Sequence, residues 1–380
     1  MSTAKYFGVV MEDSIDDFCR CEKCQKIQNR YKAKNATMIG ALCALAKGVK
    51  KYSDEHMQGK EINLFTLAYN WSERPPVLID EHGELSLVDE KLKFPDNLYI
   101  KLALFGTDIS RSYDDPKQTK SERVPDMNYK QVLEGWQLLG ANIQTYDYTT
   151  NFGEYLWYMS YPQVLKKNLH YYKSVLKTNY AELQGEHWSY GGALADMKAY
   201  VGSKLLWNMD LDTDLLTKEF CDGYFENESE VVYEFIKEMD NHIAYLHENT
   251  DYAVFCFLRD YGKYFDPCYY PKEFLEKQVE RLEGAIKRNT ENDVLVQRLS
   301  AMVVIPINML RLNASSYYEE EGAELALAKK YIDYCELASI IQINEGNPLM
   351  QVKEGGQWFG GGLLDNIKKK YNYKTETIGE

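Results

Sequence analysis

The sequence has no run of about 18 consecutive apolar residues, so no membrane-spanning helix is expected from it. Its N-terminus, Met1-Ser-Thr-Ala-Lys5, enters a short apolar run directly and lacks the apolar core of a signal peptide; as it stands, the chain reads as cytoplasmic. Basic residues are in the minority: 44 Lys and Arg face 58 Asp and Glu, a formal net charge of -14. An acidic chain without a basic stripe argues against nucleic acid and anionic membranes as partners. There is no glycine-rich phosphate loop, no Gly-x-Ser-x-Gly elbow and no internal repeat. Of eight cysteines, only Cys19, Cys21 and Cys24 cluster. Cys43, Cys221, Cys256, Cys268 and Cys335 stand among apolar neighbours and read as small buried hydrophobes, so mostly reduced thiols are expected.

What is present is apolar and aromatic. The 380 residues are 45% hydrophobic, enough for a sizeable core and for more than one domain. Aromatics make up 13%, with 31 Tyr and 6 Trp. Sugar C–H faces stack on such rings, so this richness suits carbohydrate binding. A tyrosine-rich core and surface would account for it equally well.

Short apolar runs predict five strands, at about 6–11, 62–69, 98–105, 142–148 and 179–185, with helical stretches between them. One helix of about thirty residues is expected up to Tyr52, with Ile39, Leu42, Cys43, Ala46 and Val49 at helical spacing. Strand and helix alternate, which implies parallel pairing and an α/β fold, a (β/α) TIM-type barrel. From about Asp212 the pattern is all helical, and Pro306 inside one apolar helix predicts a kink. The expected domains are therefore residues 1–207, 208–345 and a Gly- and Lys-rich tail over 346–380.

The strands end on chemistry-bearing residues. The first leads into Glu12 and Asp13, the second ends on Tyr69, Asn70 and Trp71, the fourth on Asp147 and Tyr148, and the fifth on Glu186, His187 and Trp188. Acids and aromatics at the C-terminal ends of barrel strands are what a barrel active site needs. Glycoside cleavage takes one carboxyl to protonate the leaving oxygen and a second group to stabilise or attack the sugar carbon. Glu12 is the expected acid and Asp13 its partner, with Glu186 as the alternative second carboxylate. The simpler reading of Asp13 is helix capping with Asp16 and Asp17. His187 reads as a structural histidine, and Trp71 and Trp188 as packed rim residues, unless one of them floors a sugar subsite. Cys19-x-Cys21-x-x-Cys24 is one ligand short of a four-coordinate zinc site, and Cys43 or His56 would have to complete it. A disulfide or plain thiols are the simpler account, and no cofactor is expected.

Four segments in order resemble one bacterial family, first catalogued as domain of unknown function 4838. They are Phe18-Cys-Arg-Cys-Glu-Lys-Cys24 after the acidic strand end, Leu67-Ala-Tyr-Asn70 with Pro75-Pro76, Tyr146-Asp-Tyr148, and Tyr200 to Asp212 with Glu219-Phe220. The match covers roughly residues 5–230. The resemblance implies a glycoside hydrolase barrel followed by helices, part of it classed as glycoside hydrolase family 163, endo-β-N-acetylglucosaminidases acting on N-glycans. It further implies retention of anomeric configuration and secreted or periplasmic full-length relatives. The family 20 hexosaminidases, distantly similar in architecture, place an Asp-Glu pair after their fourth strand; here the order is Glu12-Asp13. On this basis Tyr69, Asn70, Trp71, Asp147, Tyr148, His187 and Trp188 would line the sugar pocket, and the partner is a glycan.

A closed barrel of this type needs eight strands, and the sequence offers five before its helices. The missing three would precede Met1, which makes the Glu12-Asp13 strand the fourth. The expectation is an incomplete barrel that binds sugar weakly alone and is completed by an upstream segment or a second copy.

Overall fold

In the computed structural model, which describes residues 3–11, 18–103, 106–120, 123–178, 180–186, 192–255, 266–320, 322–345, 347–349 and 369, the apolar runs form one curled, half-barrel sheet. Its strands are β1 (Tyr6–Gly8), β2 (Asn63–Tyr69), β3 (Leu98–Ala103), β4 (Asn142–Tyr148) and β5 (Ala181–Gln184), all parallel and in sequence order. The incomplete α/β barrel followed by helices is thus the observed architecture. Contacts group the chain into two units, Met1–Tyr148 with Leu165–Gln184, and Thr149–Val164 with Gly185–Glu380.

The first unit is built by alternation. Along β2 and β3, Leu64, Thr66, Ala68, Leu98, Ile100 and Leu102 are buried, while Phe65, Leu67, Tyr69, Tyr99 and Lys101 are half-buried. The buried row is covered by helices α2 (Ala36–His56) and α3 (Tyr129–Leu138), which pack on β3 and β4. Each fully buried Leu or Ile there contributes about 1.5–3 kcal/mol. Asn128 caps α3: its side chain accepts from Gln131 N at 2.9 Å, and Gln131 Oε1 accepts from Asn128 N at 2.9 Å. The half-buried row lies opposite the helices, on the face that is internal in a barrel.

The long helix expected up to Tyr52 is two helices, α1 (Glu22–Tyr31) and α2. Lys32 breaks it at a left-handed φ of 54°. The break frees Asn35, which donates to Ser72 O at 2.7 Å and Arg74 O at 3.1 Å and so fastens the turn after β2. Helical periodicity continued across a tertiary contact that spacing cannot reveal.

The second unit is helical: α5 (Ala195–Trp207), α6 (Thr213–Tyr224), α7 (Ser229–Asn249), α8 (Lys272–Arg288), α9 (Asp293–Leu312) and α10 (Ala323–Leu337), while α4 (Pro162–Tyr171) straddles the boundary between the units. Asp212 caps α6 by accepting from Asp214 N at 2.9 Å and Leu215 N at 3.0 Å. Helix α9 packs on α8 and α10, with Leu299, Val303, Val304, Ile305 and Ile307 fully buried, and runs through Pro306 without interruption. By length and mean hydropathy, 1.4, it could cross a membrane; 67% of that stretch is buried, as suits a core helix.

At Gly135, α3 comes close to the loop that follows β2. A Cβ there would fall 2.6 Å from Pro75 Cγ and 3.1 Å from Val77 Cγ2. The proline ring is tied to the backbone and cannot swing aside. Gly135→Ala is therefore expected to destabilise the protein by about 1–3 kcal/mol despite alanine's better helix propensity, read as a lower urea midpoint at unchanged slope. Equal or raised stability would refute the close approach.

Candidate functional site

Glu12, Asp13, His187 and Trp188 lie outside the described residues. Their flanks are described. The ladder of β1 continues past Gly8, with Val9 N donating to Phe65 O at 2.8 Å.

The face opposite the helices is aromatic and polar. Register sets Tyr99 beside Phe65, Lys101 beside Leu67 and Gln144, and Glu182 beside Tyr146. Tyr6 and Tyr99 meet edge to face with centroids 5.3 Å apart, and Tyr146 and Tyr148 at 5.5 Å. Lys101 Nζ sits 2.8 Å from Glu182 Oε2 and 5.2 to 5.8 Å from the ring centroids of Phe65, Tyr146 and Tyr180. Burial works against the charge on Lys101, yet the hydrogen bonds to Glu182 and Tyr180 outweigh it and hold its pKa above the ordinary lysine value. Tyr146 also donates to Gln184 Oε1. Rings beside a fixed cation and amide and carboxylate oxygens offer both stacking and hydrogen bonding to a polyhydroxylated ligand. Lys101, Glu182 and Gln184 went unnoticed in the sequence; a lysine at an alternate position of an otherwise apolar strand was the available signal.

Beyond β2, Asn70 is buried with φ 54°, and its Oδ1 has no hydrogen-bond partner among the described residues. A buried asparagine in the left-handed region at a strand's C-terminal end, with its amide oxygen unpaired, is a candidate working position. Trp71, 36% exposed, already holds cations on its ring, with Lys34 Nζ 4.6 Å and Arg123 Cζ 5.3 Å from the centroid. Glu73, two residues on, is a buried carboxylate.

Neighbours in one strand face opposite ways, and β4 shows it. Tyr148 is half-buried on the open face, whereas Asp147 points to the helix-packed face. There Asp147 accepts from Tyr113 Oη at 2.5 Å and from Tyr172 Oη at 2.6 and 2.7 Å. Burial pushes the Asp147 carboxyl up to about 6, against the pull of these two phenols.

The second unit holds Glu186. Its side chain is 7% exposed and its Oε1 lies 3.1 Å from Lys198 Nζ, which also donates to Thr149 O at 2.7 Å. A Cβ on Gly192 would fall 2.3 Å from that same oxygen, so the carboxyl lies directly against the Gly192 backbone and would have to shift for any larger residue. Glu186 is thereby a fixed, charge-paired carboxylate, and Lys198 is a partner that spacing alone could not announce. Two more acids with raised pKa belong to this unit, Glu154 buried and Asp240 half-buried. Burial pushes Glu154 up to about 7, with Arg311 4.0 Å away pulling it down, and Asp240 up to about 6, where Tyr158 Oη donates to it at 2.8 Å.

The thiols of Cys19, Cys21 and Cys24 converge, all within 4.8 Å of one another. Neither proposed fourth ligand joins them. Cys43 is buried in α2 with its Sγ 3.8 Å from Lys93 O, and the His56 ring lies 4.7 Å from that of Tyr52.

Residues 1–237 match the family described as Domain of unknown function (DUF4838). No curated protein matches the chain. Among solved structures, a similar one is that of the glycoside hydrolase CpGH84B, with 10% identity and a TM-score of 0.36. The likeness covers 87% of this chain and 55% of that one, so the chain spans about half its length.

The Asp147 environment has a sign that can be tested. Its folded pKa lies above the unfolded carboxylate value, so the stability it favours is present below about pH 4 and lost as pH rises through about 6. Wild type is therefore expected to lose about 2–3 kcal/mol relative to Asp147→Asn between pH 4 and 7, measured as the difference in unfolding free energy at each pH. A difference that does not change with pH would refute the raised pKa.

Proposed function

The chain belongs to the DUF4838 family, and we propose that it is a glycoside hydrolase-like protein acting on glycans that contain β-linked N-acetylhexosamine. The observation that carries this reading is the tyrosine-lined face of the half-barrel sheet, whose strand β1 precedes Glu12 and Asp13 in the chain. Sugar rings would stack on Tyr99, Tyr146 and Tyr148, and Lys101 and Gln184 would bind hydroxyl groups. Glu12 would protonate the leaving oxygen, and Asp13 would orient the acetamido group or stabilise the developing positive charge. Tyr69 and Asn70, at the end of the neighbouring strand, would complete the subsite from the β2 side. The chemistry needs no cofactor.

The same aromatic face also supports a protein that binds glycans without cleaving them, because stacking does not require a working acid. The two readings separate on turnover. A panel of aryl glycosides and N-glycans is expected to yield a hydrolysed N-acetylhexosaminide. Binding without any turnover would support the non-catalytic reading, and neither binding nor turnover would end both.

Glu12→Gln is expected to lower turnover by about 10²–10⁴-fold on substrates with poor leaving groups and much less on activated aryl glycosides. Wild-type turnover of that variant on a poor leaving group would remove Glu12 from the mechanism. Tyr146→Ala is expected to weaken glycan affinity by about 0.5–1.5 kcal/mol beyond the loss of contact area, while circular dichroism stays that of the parent. Unchanged affinity in titration calorimetry would assign Tyr146 to packing alone.

A further inference from the structure

The glycan reading leaves Cys19, Cys21 and Cys24 unused. They stand at the start of α1, where Cys21 is the N-cap residue and Cys24 lies in the first turn. Their three sulfurs approach within 4.8 Å of one another. A disulfide would join two and leave the third stranded beside it, whereas three sulfurs in one cluster suit a single ion bound to all three. The frame that holds them is independent of any ion. Gln25 N donates to Cys21 O at 2.9 Å, and Gln28 Nε2 donates to Cys19 O at 3.1 Å, which ties the cysteine before the helix to its second turn. Cys19 and Cys21 are exposed and Cys24 half-buried, so solvent reaches the cluster.

We propose that Cys19, Cys21 and Cys24 bind one Zn²⁺ ion through three thiolates, with the fourth tetrahedral position open to water or an exogenous ligand. Zinc takes sulfur ligands in tetrahedral sites and leaves one position open where the protein supplies three. Binding is an exchange of protons for metal: three Zn–S bonds form, three S–H bonds break and three protons pass to solvent, with no change of oxidation state. The complex carries one net negative charge. It forms at a helix N-terminus, where the macrodipole and free amide groups favour anions. Arg20, Glu22 and Lys23 interleave the cysteines in the sequence and leave one net positive charge among them.

The test uses the full-length, untagged, reduced and metal-free chain, titrated with Co²⁺ as a spectroscopic probe and then with Zn²⁺. The expected result is one equivalent of Co²⁺ bound, with a thiolate-to-cobalt charge-transfer band and tetrahedral visible bands that Zn²⁺ erases. Cys19→Ser, Cys21→Ser and Cys24→Ser should each weaken binding by at least the roughly 10–100-fold that loss of an outer-shell partner costs. Cys268→Ser, an exposed cysteine outside the cluster, should leave it unchanged. Circular dichroism of the serine variants guards against unfolding, since the exposed thiols carry little of the core. A titration without the charge-transfer band, or one identical in the triple serine variant, would overturn the proposal.

Discussion

The parallel sheet is the constraint from which the rest follows. A parallel strand must bury its backbone ladder and cover at least one face, and here α2 and α3 cover the side of Leu64, Leu98, Ile100 and Leu102. The period of two then leaves the opposite row for other work. That row carries Tyr99, Lys101, Tyr146 and Tyr148. The division between core and candidate binding face is thus made residue by residue along each strand, and it separates Asp147 from Tyr148 although they are adjacent. A slip of one residue in any ladder would exchange the two faces.

Burial of acids is the second theme. Asp147, Glu154 and Asp240 are each enclosed, and in each the loss of hydration outweighs the neighbouring donors and raises the pKa. Glu186 is handled differently, by a lysine within 3.1 Å. Phenols do the binding in two of the three neutral-leaning cases, Tyr113 and Tyr172 at Asp147 and Tyr158 at Asp240. A phenol donates to a carboxylate and can equally accept from a carboxylic acid, so these sites tolerate either protonation state. Part of the chain's high tyrosine content therefore serves to satisfy buried acids, and only part is available on the open face.

How much of this was legible follows from the range of each signal. The five strands lie within a few residues of where apolar runs put them, because burial of one face acts on consecutive residues. The family segments were legible as ordered local strings. The break at Lys32 was hidden because the contact it allows, the hold of Asn35 on Ser72 and Arg74, reaches 37 and 39 residues along the chain. The partnerships of Asp147 with Tyr113 and of Lys101 with Glu182 were hidden for the same reason. The face on which Asp147 stands could have been read from alternation, since Ile143 and Thr145 share its parity and are buried. Residue type drew attention to Asp147, and parity would have placed it.

The segment between Met11 and Phe18 joins these themes. It carries both acids proposed for chemistry, Glu12 and Asp13. Before it in the sequence, the β1 ladder extends to Val9. After it come the three cysteines, whose backbone is tied to α1 through Gln25 and Gln28. A proton donor must keep its carboxyl within hydrogen-bond reach of the leaving oxygen, and positional freedom at either flank would blur that distance. The sheet can fix only the first flank, since Phe18 begins a run that belongs to no strand. An ion held by three thiolates would restrain the second flank. The stretch that carries the acids would then be flanked in sequence by a ladder of hydrogen bonds and by a metal site, two restraints with different sensitivities. The first yields to denaturant with the sheet as a whole, the second to chelators and thiol oxidation alone.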